Sequence, residues 1–200
     1  MDAHQIAMKL FKERLQTENE ALLQDIAART DLVCFRKGTT LVREGDVLKD
    51  CYCLVDGVIR IFYLFDGEEI TESLVSEQGT VIYPSVFLNK NDTANATIAL
   101  LTDCTLLHMS AEDLYDVMRI HPDYVNLQLQ LVLRFVDTVF RMKREMTHMN
   151  PTERYLWFAK TRPDLVENVP QKYIASYLGM TPVSLSRIRG KLREQNAPEE

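Results

Sequence analysis

Five glycines, Gly38, Gly45, Gly57, Gly67 and Gly79, recur at intervals of 7 to 12 residues, and each closes a short apolar run. The runs are Leu32 to Phe35, Thr39 to Val42, Cys51 to Val55, Val58 to Phe65 and Glu69 to Val75; Val81 to Leu88, Ala96 to Leu101 and Cys104 to Met109 follow. Apolar segments this short, bounded by turn residues, read as strands rather than helices. Asp56-Gly57 and Asp66-Gly67 are hairpin signals between such runs. About eight short strands at this spacing predict an antiparallel β-roll or jelly roll between residues 32 and 110.

Helical patterns flank that region. Ile6, Leu10, Phe11 and Leu15 fall at helical spacing, and Thr17-Glu18-Asn19-Glu20 reads as a capping box opening a second helix with Leu22, Leu23 and Ile26. Ser110 to Asp113 caps a third. Residues 123–149 contain neither Gly nor Pro and predict the longest helix, roughly 40 Å at ~1.5 Å per residue. Val125, Leu129, Val132, Val136, Val139, Lys143 and Met146 alternate in steps of 4 and 3, the pattern of a coiled-coil seam. Leu127, Leu131, Leu133, Phe135, Phe140 and Met142 add apolar surface outside it. Such a helix is expected to touch its own domain and a second copy at once. Asn150-Pro151-Thr152-Glu153 stops it and caps another helix running to Thr161.

The segment Pro170 to Arg193 reads as two short helices around a tight turn. Ile174 and Leu178 form the first apolar set, Gly179 suits a left-handed turn position, and Ala175 permits close crossing. Thr181 is the expected N-cap and Pro182 the first residue of the second helix, which buries Leu185, Ile188 and Leu192. From Val169 to Arg193 there is no carboxylate but five cations, Lys172, Arg187, Arg189, Lys191 and Arg193. This is the grammar of a DNA-binding helix-turn-helix.

A net charge of −6 looks wrong for such a protein until it is divided. Residues 1–133 hold 11 Lys+Arg against 21 Asp+Glu, whereas residues 134–200 hold 12 against 8. The basic end is the one that reads as contacting DNA, with the acidic part repelled from it. No apolar run approaches a membrane span and no leader pattern opens the chain, so a cytoplasmic protein away from membranes is expected. The four cysteines, Cys34, Cys51, Cys53 and Cys104, contain no C-x-x-C pair. Cys51 and Cys53 are expected on opposite faces of one strand, as buried structural thiols. His4, His108, His121 and His148 show no ligand spacing. No metal, cofactor, nucleophile–base pair or phosphate loop is predicted, which argues against an enzyme.

Together Phe35-x-Lys37-Gly38, Leu41 followed by Gly45-Asp46, the run Cys53 to Arg60, Gln78-Gly79, Pro122-Asp123, Glu153-Arg154 and the helix-turn-helix resemble the CRP/FNR family of bacterial transcription regulators, over essentially the whole chain. The resemblance implies an α+β fold in three parts. These are a cyclic-nucleotide-binding-type β-roll with flanking helices over residues 1–122, a dimerisation helix over 123–149, and a helix-turn-helix domain over 150–200. It implies double-stranded DNA and a second copy of the chain as partners, with RNA polymerase as a further candidate. A binding module of the cyclic-nucleotide type without DNA-binding function is the rival reading.

The departures from the family pattern carry information. Members that bind cyclic AMP hold its ribose with a Gly-Glu pair and its phosphate with Arg-Ser/Thr-Ala; the matching positions here are Tyr83-Pro84 and Ala94-Asn95-Ala96. The base-reading hydroxyl pair of the long helix matches Val139-Phe140. A buried phosphodiester without its cation is strongly disfavoured, so cyclic AMP is not the expected effector. Tyr83, Ser85, Asn95, Val139 and Phe140 would line whatever pocket remains. In the second helix of the helix-turn-helix, the prototype's Arg, Glu and Arg positions match Pro182, Val183 and Arg187. Arg187 suits a bidentate contact to guanine, and Val183 a thymine methyl. Thr181, Ser184 and Ser186 are expected at base edges or phosphates, and Lys172, Arg189 and Lys191 at phosphates. Family members usually continue into a β-hairpin wing; with seven residues after Arg193, none is expected there.

Overall fold

A computed structural model describes residues 2–82 and 93–195. Among the described residues eight strands form two four-stranded antiparallel sheets. The first has the order β1 (Asp31–Phe35), β8 (Cys104–Ser110), β3 (Asp50–Asp56), β6 (Val81–Ile82). The second runs β2 (Thr40–Val42), β7 (Thr97–Leu100), β4 (Ile59–Phe65), β5 (Glu68–Val75). Leu54, Ile59, Ile82, Ile98, Leu100 and Leu106 fill the space between them. The turn before β4 fixes the way the sheets close. Gly57 has φ +113°, and a Cβ there would lie 2.4 Å from Cys104 Sγ and 2.8 Å from the Asp103 carbonyl. Only glycine permits that approach.

The outer face of the first sheet is covered by α1 (Ala3–Leu15), α2 (Glu20–Ala28), α3 (Ala111–Ile120) and the first turns of α4 (Pro122–His148). Leu10, Phe11, Leu22, Leu23, Ile26, Leu114 and Tyr124 meet Leu107 and Met109 there. Cys51 and Cys53 belong to this same cluster, which corrects the expectation that they face opposite ways: residues two apart on a strand share a face. The N-cap of α2 is Asn19, whose side chain accepts from Leu22 N at 3.1 Å, rather than Thr17. Thr17 instead accepts from Asn19 N, one step outside the helix. Ser110 caps α3 as expected, accepting from Asp113 N at 3.0 Å.

Helix α4 turns two faces to two environments. Tyr124, Leu127, Gln128 and Leu131 pack towards the β-roll. Leu129, Val132, Val136 and Val139 are exposed, as are Leu133, Phe135 and Phe140 beside them. At its far end Met146 joins the C-terminal core, and Met142 Sδ accepts from the Tyr177 hydroxyl at 3.6 Å.

Asn150 then opens α5 (Pro151–Thr161) with the predicted capping box. The stretch after it forms α6 (Pro163–Asn168). Pro163 begins that helix, for the same reason that Pro151 begins α5: proline lacks the N–H that a first helical position leaves unpaired. Helices α7 (Gln171–Tyr177) and α8 (Pro182–Gln195) complete the fold. Their core of Tyr155, Phe158, Leu165, Ile174, Leu178 and Leu185 also takes in Val58, Leu74 and Leu101 of the β-roll. The C-terminal helices therefore share buried apolar surface with the roll.

Candidate nucleic-acid interface

The helix-turn-helix is built by local chemistry. Helix α7 ends where Leu178 N bonds the Ile174 carbonyl at 3.0 Å, and Met180 N returns to Ala175 O at 3.0 Å. Gly179 between them has φ +66°, the left-handed geometry that this closure requires. Thr181 Oγ1 accepts from Ser184 N at 3.1 Å, so α8 starts with the predicted N-cap. Ala175 is fully buried at the crossing of the two helices, with Leu185 opposite it in the same core.

Burial of Leu185, with Ile188 and Leu192 packed partly against the core, sets which side of α8 faces outward. At 3.6 residues per turn the opposite face carries Val183, Ser186, Arg187 and Gly190. Val183 is 60% exposed, and Ser186 and Arg187 are exposed with it. Ser184 is half-buried and shares a hydrogen bond with Thr181, their hydroxyls 2.9 Å apart. Lys191 is exposed on one flank of the outward face. Arg189 is half-buried on the other, in a groove with Tyr155, Leu192 and Arg193. Lys172 is exposed at the start of α7. Among the described residues, none of Lys172, Arg187, Arg189, Lys191 and Arg193 forms an ion pair with a carboxylate. The surface thus offers an apolar contact, hydroxyls and a guanidinium in the centre, with free cations on both sides.

Gly190 lies on that outward face and was not singled out from the sequence. A Cβ there would meet nothing within 4 Å, so packing does not demand glycine. The signal available was its position: seven residues after Val183, two helical turns along the same face.

Residues 32–121 match the cyclic nucleotide-binding domain family. The global nitrogen regulator of Synechocystis sp. is 26% identical over 175 residues, covering 81% of this chain and 77% of the relative. Two solved structures share the fold. CLP of Xanthomonas campestris, a c-di-GMP-responsive global regulator, superposes with a TM-score of 0.66 at 20% identity, over 90% of this chain and 96% of that one. FixK2 of Bradyrhizobium japonicum gives 0.63 at 17% identity, over 83% and 85%. The chain thus carries a cyclic nucleotide-binding domain within a fold shared with these solved proteins.

The predicted pocket residues are unevenly arranged. Tyr83 and Ser85 lie outside the described residues. Ala94 and Ala96 are buried, with Ala94 N bonded to Asp46 O at 2.9 Å, and Asn95 between them is exposed. Val139 and Phe140 are exposed on α4, and the groove at Phe140 is lined by Asp137, Lys143, Arg144, Thr147 and His148 of the same helix. Of the thiols, Cys51, Cys53 and Cys104 are buried and Cys34 is exposed. Among the described residues no group of His, Cys, Asp and Glu has metal-site geometry, and no helix is long and apolar enough to cross a membrane.

Proposed function

We propose that this chain is a CRP/FNR-type transcription regulator that acts as a homodimer on palindromic DNA, with two α8 helices entering successive major grooves. The observation that carries the reading is the outward face of α8: Val183, Ser186 and Arg187 exposed, flanked by unpaired cations, with no carboxylate before Glu194 in the last turn. Arg187 reads a base edge; Lys172, Arg189 and Lys191 hold phosphates and set the register. The exposed stripe Leu129, Val132, Val136 and Val139 supports pairing of α4 with its copy. Such pairing sets the α8 helices roughly 34 Å apart, one DNA turn, and the half-sites ~10 bp apart.

The β-roll would bias this dimer through an effector other than cyclic AMP, and RNA polymerase would be the partner through which it acts on transcription. A ligand can do so only by binding two arrangements with different affinity. The test is genome-wide mapping of bound DNA, followed by gel shift of the recovered fragments. Recovery of a shared palindrome with half-sites ~10 bp apart is expected. Absence of any preferred sequence would reject the reading in favour of a ligand-binding module without DNA function.

A further inference from the structure

Arg60 lies on β4, on the face turned to the helix-turn-helix, and is 3% exposed. Burying a guanidinium is costly unless its charge and its donors are met. Here the roll supplies part of what is needed. Arg60 Nη1 donates to Glu69 at 2.5 Å, Nε donates to Thr71 Oγ1 at 3.0 Å, and the Phe62 ring centroid lies 4.1 Å from Cζ. The rest comes from α7: the Tyr173 ring centroid is 3.9 Å from the same carbon. Planar, weakly hydrated arginine suits such a stack, and each ring attracts it through its quadrupole.

The same helix covers the sheet edge. β5 is an edge strand, and its Thr71 N donates across the boundary to Ser176 Oγ at 2.9 Å. An unpaired strand N–H is thereby satisfied by the helix-turn-helix itself. Just past the end of β5, Arg162 Nη2 donates to Ser76 Oγ at 2.8 Å. The burial of Arg60 is complete only when α7 is docked. On the outer side, Lys172 Nζ stands 4.8 Å from the Tyr173 ring, so a phosphate-contacting residue sits next to the stack.

We propose that Arg60 is a positioning residue for DNA binding: stacked under Tyr173 and paired with Glu69, it clamps α7 to the β4–β5 hairpin and so sets the orientation of α8 relative to the dimer helix. This rests on the DNA-binding reading above. The clamp holds each recognition helix at a fixed angle. It therefore governs how sharply the dimer discriminates half-site spacing, not how well one half-site is bound.

The test uses the full chain with Tyr173→Leu, which removes the ring, and Tyr173→Phe, which keeps it; Arg60→Lys keeps the charge but not the plane. Hydrogen exchange at the Thr71 amide reads the clamp without DNA. Tyr173→Leu and Arg60→Lys are expected to speed it about tenfold or more, as local opening does, with the β4–β7 ladder unchanged and Tyr173→Phe like wild type. The second readout is affinity for palindromes whose spacer is lengthened one base pair at a time, each step turning one half-site by roughly 35°. Wild type and Tyr173→Phe should show a sharp optimum. In Tyr173→Leu and Arg60→Lys the profile should flatten at least threefold, with affinity for an isolated half-site unchanged. Unchanged Thr71 exchange overturns the clamp, and faster exchange with an unchanged spacing profile overturns its positioning role. If wild type binds no DNA, the DNA reading fails, while the exchange measurement still decides the clamp.

Discussion

Arg154 Nη1 donates to the Leu178 carbonyl at 2.8 Å, and this bond joins the helix that opens the C-terminal region to the turn of the helix-turn-helix. The same guanidinium reaches back to the Met149 carbonyl from Nε at 3.3 Å. One side chain thus ties the end of α4, the start of α5 and the last turn of α7. The turn is shaped around it: a Cβ on Gly179 would lie 3.3 Å from Arg154 Nη1. Arg154→Met should cost about 2–3 kcal/mol, the worth of hydrogen bonds from a charged donor plus a stranded carbonyl. Gly179→Ala should cost about 1–2 kcal/mol from the left-handed backbone. Urea unfolding of both variants checks the pair.

Arg187 and Lys172 are expected to fail in different ways. In the proposed complex Arg187→Ala removes a base contact, so the operator should weaken by about 1–3 kcal/mol and selectivity relax at one position. There Lys172→Ala removes a phosphate contact, so all sequences should weaken together and the salt slope fall by about 1. Titrations at several salt concentrations, against the operator and against single-base variants, separate the two. Equal loss on all sequences from Arg187→Ala would move that residue from base to backbone.

Val136→Glu should leave the fold intact and break the dimer. Val136 is exposed on α4 between Val132 and Val139 and touches no buried cluster of its own chain. In a paired helix two such carboxylates would face each other in an apolar seam, which weakens dimerisation by about a hundredfold or more. Sedimentation should show a monomer with an unchanged circular dichroism spectrum. A wild-type monomer at micromolar concentration would reject the α4 seam.

The parts of this fold that were legible in the sequence are those made by neighbours along the chain. Each turn glycine, the caps at Ser110, Asn150 and Thr181, and the spacing of Leu185 and Ile188 are local, and local rules found them. Where local rules competed, they erred: Asn19 won over Thr17 as a cap. Arg60 was beyond reach for a different reason. Between Ile59 and Ile61 it looks like the outward position of an alternating strand. Its burial depends on Tyr173, which is remote in sequence, and the fold alone brings the two together.

Cyclic AMP should not bind at micromolar concentration. At the positions where the family holds the phosphate, Ala94 and Ala96 turn buried methyl groups inward and Asn95 points to solvent. Losing the paired cation removes a charge-assisted hydrogen bond, the strong kind, from a group that cannot be buried without one. Equilibrium dialysis of labelled cyclic AMP against the full chain checks this. Saturable micromolar binding would mean that other donors replace the missing arginine.

The buried thiols give the protein an alkaline limit. Desolvation pushes Cys51 up to about 12, raised further by Cys53 and pulled down by Arg14, and it pushes Cys53 up to about 11, again against Arg14. Burial raises Tyr124 beside them in the same direction. In the unfolded chain a thiol ionises near ~8.5. Below that pH both states hold their protons and the thiols leave stability unchanged. Between ~8.5 and the folded values the unfolded chain releases protons that the folded chain keeps, so stability falls as pH rises, by roughly 1 kcal/mol per thiol per pH unit. The urea midpoint should therefore drop between pH 8 and pH 10, and a Cys51→Ala, Cys53→Ala double variant should show a shallower drop from a lower starting stability. A thiol reagent at pH 8 should modify Cys34, the exposed one, in the native chain. Cys51 and Cys53 should react only in urea, because the thiolate is the reactive form and burial withholds it.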